Sequence, residues 1–518
     1  MASAGGAGAA AAPDPALYFQ PVDERDAVVT LLLPPEAKEA AEQPTTRGGK
    51  RRRSEAAAAA ERIVTHDASA YLLKSASPKF RAALERWNES GAKELKFKCG
   101  SEEEAECWGH LLDCIHSMGR QLPPDLDAVL RLLLLAREQA AEPVVAACLW
   151  QLSSKADQLP AAACLALLSH LETGVSEHAE LRSLGSNLLA AACGRTLQLL
   201  SQDAAVRSDA AVQAQLLAYL GPLQHMLNDL QRRDLFLSLP FELLRDCIFL
   251  DGNVNADAEV TVLAAFAMWA DANLNYGGST GRDIIAICSR IRFPALPAGM
   301  LRNYWDHWTL LRHYFDPMSD VMYRAIVASS DPQQLRMWRR ELDKEGNADD
   351  ESAVARFKAK CSSWWRPRDP PLAATAGPAE FEVKLERPDA GDAGVNSIRK
   401  YWMGYWWSIM ATKEESGRLG IYIMPSIAHQ GSSRNKGTPE ALSFCMEVDY
   451  KFSLSGSNCS WTRSSRGFVY PCQRTGHGFR YCKADNGQRI TWDAFWEEGS
   501  PWLVHGAAHV CFTLQVPA

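Results

Sequence analysis

The sequence lacks the features that would mark a membrane or secreted protein. No uninterrupted apolar run approaches the roughly 18 residues that span a bilayer, and the best candidate, 260–270, is predicted to be a buried helix. Residues 1–12 have no basic start and no leucine-rich core, so they do not resemble a signal peptide. These absences predict a soluble, intracellular chain with no membrane partner.

Positive charge is also in short supply. The 518 residues include 55 Lys and Arg against 62 Asp and Glu, which gives a formal net charge of −7. A protein that binds nucleic acid broadly needs a basic surface to neutralise phosphates. The charge balance therefore predicts no nucleic-acid partner.

Motifs that carry catalysis are missing as well. The sequence contains no Gly-x-Ser-x-Gly, no Walker Gly-x₄-Gly-Lys-Ser/Thr and no His-Glu-x-x-His pattern. Cys472, His477 and Cys482 match three of the four ligands of a zinc knuckle, with Cys459 a candidate fourth. The spacing favours two thiols that flank a Gly-rich hairpin. We expect a non-enzyme that needs no cofactor and no metal.

The pattern along the chain predicts an α+β multidomain protein. Strands at 26–33 and 94–99, and helices at 71–87, 101–118 and 144–152, indicate a first α/β domain, and helix then follows helix as far as residue 330. The predicted order is a disordered tail at 1–16, an α/β domain at 17–154 with a disordered basic insertion at 36–62, an all-α domain at 155–330, a helical extension and linker at 331–379, and a strand-rich domain at 380–518.

The last 140 residues change to a period of two. Apolar and polar side chains alternate through 443–454, and shorter versions of the pattern appear at 381–385 and 510–516. Such alternation is typical of antiparallel strands that bury one face. With Gly-rich turns between the runs, it predicts an antiparallel β-sandwich.

Three short segments of the first domain match a known pattern. They are Ser75-Ala-Ser-Pro-Lys-Phe80, Leu95-Lys-Phe97, and the end of a Glu-rich helix at Cys114-Ile-His-Ser-Met118. The domain resembles a BTB (POZ) domain through these segments. It departs from the family at Ser69, where a His is usual, and in the length of the insertion at 36–62.

The helical region and the C-terminal region extend the resemblance. Leu239-Pro-Phe-Glu-Leu-Leu244, the helix at 259–269 and Ile291-Arg-Phe-Pro294 are similar to a BACK domain. Leu419–Met424, Val448–Phe452, Ile490–Phe495 and the strand at 506–516 are similar to the MATH-like (TRAF-like) domain of plant light-response BTB proteins. The order of the three domains is that of the family.

The resemblance implies a function. BTB–BACK proteins of this kind serve as substrate receptors of cullin-3 ubiquitin ligases: the BTB domain forms a homodimer and binds cullin-3, and the C-terminal domain holds a protein substrate. Such BTB domains carry a hydrophobic-x-Glu motif before a strand, and Trp87 and Glu89 match it. An exposed aromatic can anchor in a partner pocket, so these two are the predicted cullin-binding residues.

Two further sets of residues are candidates. The basic run Lys50, Arg51, Arg52 and Arg53 resembles a nuclear localisation signal, which predicts a protein of nucleus and cytoplasm. Tyr401, Trp402, Trp406 and Trp407 are aromatic enough to line the substrate surface of the sandwich, although core packing would explain them equally well. Ubiquitin transfer would be carried out by the recruited enzymes.

Two other functions fit the sequence. One is a scaffold or transcriptional co-regulator that uses the BTB dimer without cullin. The other is a sugar- or ligand-binding sandwich attached to a BTB dimer, in which clustered Trp would stack on a sugar.

Overall fold

A computed structural model describes residues 26–34, 62–86, 94–171, 179–273, 287, 290–296, 378–389, 391–426, 447–456, 460–469, 477–479 and 489–515. The chain divides into two compact units, Met1–Gln202 and Asp203–Ala518. The boundary lies inside the predicted helical region 155–330, after its first two long helices. The predicted tail and the predicted helical extension and linker lie outside the described residues, as does all but Arg62 of the predicted insertion.

The first unit combines a small sheet with helices. Its strands are β1 (Ala27–Leu33), β2 (Arg62–Ala68) and β3 (Glu94–Lys98), in the order β2-β1-β3, and its helices are α1 (Ala70–Ala76), α2 (Pro78–Arg86), α3 (Glu102–His116), α4 (Leu126–Glu138), α5 (Glu142–Ser154), α6 (Ala161–Leu171) and α7 (Ala179–Gln202). β1 pairs antiparallel with β2 and parallel with β3. The strands and helices expected at the N-terminus are therefore present.

Local sequence explains where these helices begin. The Ser101 side chain accepts a hydrogen bond from the Glu104 backbone, and the three Glu that follow Ser101 lie in the first turn of α3. Such a cap satisfies an orphan N–H, and acidic side chains suit the positive end of the helix dipole. α3 then buries one face, on which Trp108 stacks on Phe97 with ring centroids 4.1 Å apart.

The second unit begins with short helices. They are α8 (Ala204–Ser208), α9 (Ala210–Leu220), α10 (Leu223–Asn228), α11 (Leu230–Leu237), α12 (Phe241–Leu243), which continues into a π-helical turn at Leu244–Ile248, and α13 (Glu259–Asn273). Every residue of α13 from Glu259 to Ala270 is buried. A helix that is apolar on all sides is surrounded by its neighbours, which confirms the buried helix predicted at 260–270.

Two antiparallel sheets complete the second unit. Their strands are β4 (Ala379–Leu385), β5 (Gly394–Asn396), β6 (Lys400–Trp402), β7 (Tyr405–Lys413), β8 (Leu419–Ser426), β9 (Glu447–Ser455), β10 (Ser460–Val469), β11 (His477–Phe479) and β12 (Ala508–Gln515), with the short helix α14 (Trp492–Trp496) before β12. One sheet has the order β10-β9-β12-β4 and the other β11-β8-β7-β5, with β6 paired to β7. β4 contacts β7 between the sheets.

The inner faces of the sheets carry the alternating residues of the sequence. Phe452 and Leu454 of β9 and Phe512 and Leu514 of β12 are fully buried. Phe512 lies opposite Phe452 in the register and packs on Phe381 of β4, at 5.2 Å between ring centroids. The described chain is therefore a mixture of helices and sheets, with a helical N-terminal part and a strand-rich C-terminal part.

Candidate binding surfaces

The predicted partner-binding motifs fall largely outside the described part of the chain. Trp87 and Glu89 follow directly after α2 and precede β3, and neither is among the described residues. The basic run from Lys50 to Arg53 also lies outside the described residues. Both assignments stay predictions.

The four aromatic candidates of the C-terminal region are core residues. Tyr401, Trp402, Trp406 and Trp407 are exposed by only 1%, 4%, 2% and 0%. The Trp407 indole N–H donates to the Trp402 carbonyl at 3.0 Å, and the Tyr401 and Trp406 rings meet edge to face at 5.4 Å. Of the two explanations that the sequence allowed, the structure favours core packing, because buried rings offer no platform to a ligand.

A hairpin of β6 and β7 explains why these rings are buried. The turn between the strands is Met403-Gly404, both at positive φ, 49° and 86°, as a tight two-residue hairpin requires. The Tyr401 backbone N–H donates to Asn228 Oδ1 at 2.6 Å, and Asn228 Nδ2 donates to the Tyr401 carbonyl at 2.8 Å. The hairpin therefore lies against the end of α10.

A polar chain joins the same hairpin to α13. The Gly404 N–H donates to the Tyr401 hydroxyl (2.9 Å), which donates to Thr261 Oγ1 (3.0 Å), and the Thr261 hydroxyl donates to Asp257 Oδ1 (2.5 Å). Asp257 is only 9% exposed, and burial raises the pKa of its carboxyl. In this series of hydrogen bonds the Thr261 hydroxyl donates to the Asp257 carboxylate, which stabilises the charged form that burial disfavours.

The β6–β7 hairpin meets α10 and α13 at a junction, and the side chains around this junction were not predicted from the sequence. Leu230 at the start of α11 is 58% exposed and Ile398 just before β6 is 45% exposed. Arg233 of α11 lies over the Trp406 ring, with its guanidinium carbon 5.9 Å from the ring centroid. The nearest signal in the sequence was the Arg399-Lys400 pair beside the aromatic run, but sequence alone does not bring α11 next to it.

A groove of about 700 Å³ opens on the first unit. Its walls are formed by the end of α1 with the start of α2, by the turn before α5 with the first turns of α5, and by the first residues of α7. The lining residues include Ser75, Pro78, Ala140, Pro143, Ala146 and Leu181. Glu142 and Glu180 are the acidic residues of the lining. Trp150, one helical turn after Ala146, is 58% exposed.

Ser77 fixes one wall of this groove. Its hydroxyl donates to the Gln139 carbonyl at 2.5 Å and accepts hydrogen bonds from the backbone N–H groups of Lys79 and Phe80. The side chain is fully buried, and Phe80 packs against both rings of the stacked pair Phe97 and Trp108. The segment Ser75–Phe80, which carries the family resemblance, therefore ends α1, begins α2 and ties α2 to the residue that follows α4.

Ser69, the position at which the sequence departs from the family, has a clear structural role. Its side chain caps α1 by accepting from the Leu72 backbone, and its own backbone N–H donates to His116 Nε2 at 3.1 Å. Asp26 Oδ1 accepts a further N–H from Ala70. The start of α1 is thus held by β1 and by the end of α3.

The described cysteines form at most pairs with other metal-binding side chains, such as Cys511 with Glu380. No cluster of three His, Cys, Asp or Glu side chains that could hold a metal ion occurs within the described ranges. Cys472 and Cys482 lie outside those ranges, so the zinc question stays open there. Burial raises the pKa of Cys107, Cys164 and Cys247 to about 11, which makes them poor nucleophiles at neutral pH.

No helix in the part of the chain that the structure describes has the length and apolar character needed to cross a membrane. No protein-family model matches the sequence, and a search of curated proteins finds no match either.

Proposed function

We propose that this chain is a non-catalytic substrate receptor of a cullin-3 ubiquitin ligase. The first unit would form a homodimer and bind cullin-3, and the second unit would hold the protein substrate. The observation that carries the proposal is the role of Ser75–Phe80. In this motif, chosen for its likeness to BTB domains, Ser77 and Phe80 are buried at the start of α2, and the Ser77 hydroxyl bonds to the carbonyl of Gln139 just after α4.

Two further observations support the resemblance of the helical region to a BACK domain. Trp269 of α13 donates from its indole N–H to the Leu239 carbonyl at 3.0 Å, which links two of the segments similar to a BACK domain. The backbone N–H of Arg292, in the third segment, donates to Glu259 Oε1 at 2.7 Å. Segments that resemble one domain in sequence therefore pack together.

The groove supports a partner-binding role for the first unit. It lies beside the Ser77 helix start and is concave and lined mainly by small apolar side chains, as binding sites commonly are. An exposed Trp such as Trp150 is the kind of residue that anchors interfaces. The groove would give cullin-3 a second contact besides the predicted motif at Trp87 and Glu89.

The test is binding of the full-length protein to the N-terminal domain of cullin-3. We expect Trp87→Ala to weaken binding by at least about 30-fold, or roughly 2 kcal/mol, because it removes an anchoring aromatic. The Trp87/Glu89 double alanine variant should bind still more weakly. Ala146→Arg, which places a long side chain in the groove, should also reduce affinity.

Tyr71→Ala is the matched control and should bind as the wild type does, because it removes an exposed aromatic side chain of the first unit that does not line the groove. Unchanged binding by the Trp87/Glu89 variant would sink the assignment of that motif. A folded dimer with no cullin affinity would favour the scaffold alternative. The sugar-binding alternative is weakened, because its four aromatic residues are buried.

Dimerisation and location have separate tests. Two linked substrate domains can raise avidity by about 10²- to 10⁴-fold, and sedimentation of the full chain at micromolar concentration should show a dimer. A fluorescent fusion should leave the nucleus when Lys50 and Arg51 to Arg53 are replaced by Ala. A monomer, or an unchanged distribution, would contradict the respective part of the proposal.

A further inference from the structure

The surface around the hairpin junction contains basic side chains and exposed aliphatic side chains, in contrast to the buried aromatic residues of the hairpin. The junction patch consists of Leu230, Arg232 and Arg233 on α11 and Ile398, Arg399 and Lys400 at the start of β6. The Asn228–Tyr401 hydrogen bonds hold the two halves of the patch together, since Leu230 follows Asn228 by two residues and Ile398 precedes Tyr401 by three. The two segments that these bonds join thus carry two exposed apolar side chains, Leu230 and Ile398, next to four cationic residues in the sequence.

The charge of the patch is opposite to that of the chain. Its two segments, 228–234 and 398–400, contain four cationic side chains and two carboxylates, Asp229 and Asp234, which gives these segments a net charge of +2. Asp229 Oδ2 lies 4.0 Å from Arg232 Nε. The chain as a whole carries −7. A local field of opposite sign attracts a partner of complementary charge and sets how that partner is oriented.

Two of these cations, Lys400 and Arg233, are positioned by neighbouring residues of β7. Lys400 pairs with Trp407 in the β6–β7 ladder, and the Arg233 guanidinium lies over the Trp406 ring. Burial lowers the pKa of the Lys400 amine, the nearby charge of Arg233 lowers it further, and Asp229 raises it. Two neighbouring positive charges that are partly removed from water gain free energy when an anion reaches them.

The composition of the patch selects the kind of anion. Four cations are too few to follow a nucleic-acid backbone, where affinity grows with the number of phosphates neutralised. Leu230 and Ile398 would remain in water beside a small inorganic anion. A peptide that presents carboxylates and an apolar side chain satisfies both parts of the surface.

We propose that the junction patch docks an acidic peptide segment of the substrate, whose carboxylates pair with Lys400 and Arg233 and whose apolar side chain covers Leu230 and Ile398. This inference rests on the proposed function, because it names the class of segment that the receptor takes. The proposed substrate contacts are therefore the residues of the junction patch, not the four buried aromatic residues that the sequence suggested.

The experiment measures peptide binding to the full-length protein by fluorescence anisotropy. The probe is a labelled 12-residue peptide of alternating Glu and Leu pairs, and its partner probe has Lys in place of Glu. We expect the acidic probe to bind and the basic probe not to bind. Lys400→Glu should weaken binding about tenfold or more, and Leu230→Ser should weaken it by a similar factor.

Lys384→Glu is the matched control, because it makes the same change of charge at an exposed position of β4. It should leave the affinity within about twofold, because Lys384 belongs to the sheet that does not contain β6. Lys400→Gln, a milder change, keeps the test valid if Lys400→Glu fails to fold, which circular dichroism would reveal.

Three outcomes would overturn the inference: equal affinity of the acidic and basic probes, equal losses in Lys400→Glu and Lys384→Glu, or full affinity in Leu230→Ser. No cullin is present in this measurement. The junction patch can therefore fail while cullin binding persists, and cullin binding can fail while the peptide still binds.

Discussion

Asn228 and Tyr401 are 173 residues apart in the sequence, yet one side-chain amide satisfies both backbone groups of one residue. Asn228 Oδ1 accepts the Tyr401 N–H at 2.6 Å, and Asn228 Nδ2 donates to the Tyr401 carbonyl at 2.8 Å. On its other side, Tyr401 pairs with Trp406 in the β6–β7 ladder. The Asn228 side-chain amide thus makes the two hydrogen bonds that the backbone of a third strand would make with Tyr401, and α10 lies where that strand would be.

Replacing Asn228 by Ala should destabilise the protein by about 2–4 kcal/mol, because two partly buried backbone groups each lose a hydrogen-bond partner. Asn228→Asp keeps the acceptor for the Tyr401 N–H but turns a carboxylate oxygen towards the Tyr401 carbonyl, so it should lose stability as well. Urea unfolding monitored by Trp fluorescence would measure both. Equal stability of Asn228→Ala and the wild type would show that the amide does not hold the hairpin.

Tyr401→Phe removes the hydroxyl that links Gly404 to Thr261. We expect a loss of about 1–2 kcal/mol in the free energy of unfolding, since Gly404 N–H and Thr261 Oγ1 each lose a partner. Thr261→Val should cost a similar amount, and the double variant should cost less than the sum, because the two groups belong to one chain. Strictly additive losses would mean that the two hydroxyls act independently.

Much of the fold could be predicted because it depends on local patterns. The strict alternation through Val448–Leu454 predicts β9, and the run Val260–Ala270, apolar except for Thr261, predicts a helix that is buried on every side. Ser101 marks the start of α3 through a cap that involves only its neighbours. Each of these signals arises within one element.

The binding surfaces could not be predicted in the same way. An aromatic run such as Tyr401–Trp407 fits a ligand platform or a core equally well, and the choice depends on whether α10 and α13 pack against it. That packing rests on Asn228 and Thr261, which are ordinary polar residues in the sequence. Leu230 becomes an exposed residue of a binding patch only once α11 is placed beside β6.

Ala140 offers a prediction in the opposite direction, towards higher stability. It has φ of +53° and follows the end of α4, where the Ala141 N–H donates to the Ala136 carbonyl. Gly is the residue that prefers this left-handed position after a helix. Ala140→Gly should therefore raise the free energy of unfolding by about 0.5–1 kcal/mol.

The control for this prediction is Ala147→Gly within α5. It should lower stability by about 0.5–1 kcal/mol, because Gly in a helix interior is unfavourable. Thermal unfolding of both variants would give the comparison. A loss of stability in Ala140→Gly would show that the strain at Ala140 is relieved in another way.

The pH dependence of stability should identify Asp257 as a buried charge. Burial raises the pKa of its carboxyl above the ordinary value of 3.8. The folded state then holds the proton at pH values where the unfolded state has released it, so the contribution of Asp257 to stability falls as pH rises from about 3.8 through the folded pKa. Asp257→Asn keeps an oxygen that accepts from Thr261 and removes the charge.

The measurement is the difference in unfolding free energy between Asp257→Asn and the wild type, taken by urea titration from about pH 4 to pH 7. This difference should grow in favour of the variant as pH rises, because only the wild type acquires a buried charge. Asp246→Asn is a control with the opposite shift: the hydrogen bond from Arg245 lowers the pKa of Asp246 below 3.8, so its contribution to stability is lost only below that pH. The difference between Asp246→Asn and the wild type should therefore stay nearly constant from about pH 4 to pH 7, and it should be small, since Asp246 is half exposed and its charge is screened by solvent. A difference for Asp257→Asn that does not change with pH would mean that the Thr261 hydroxyl and the backbone N–H groups of Asp257 and Ala258 fully offset the burial of the carboxylate.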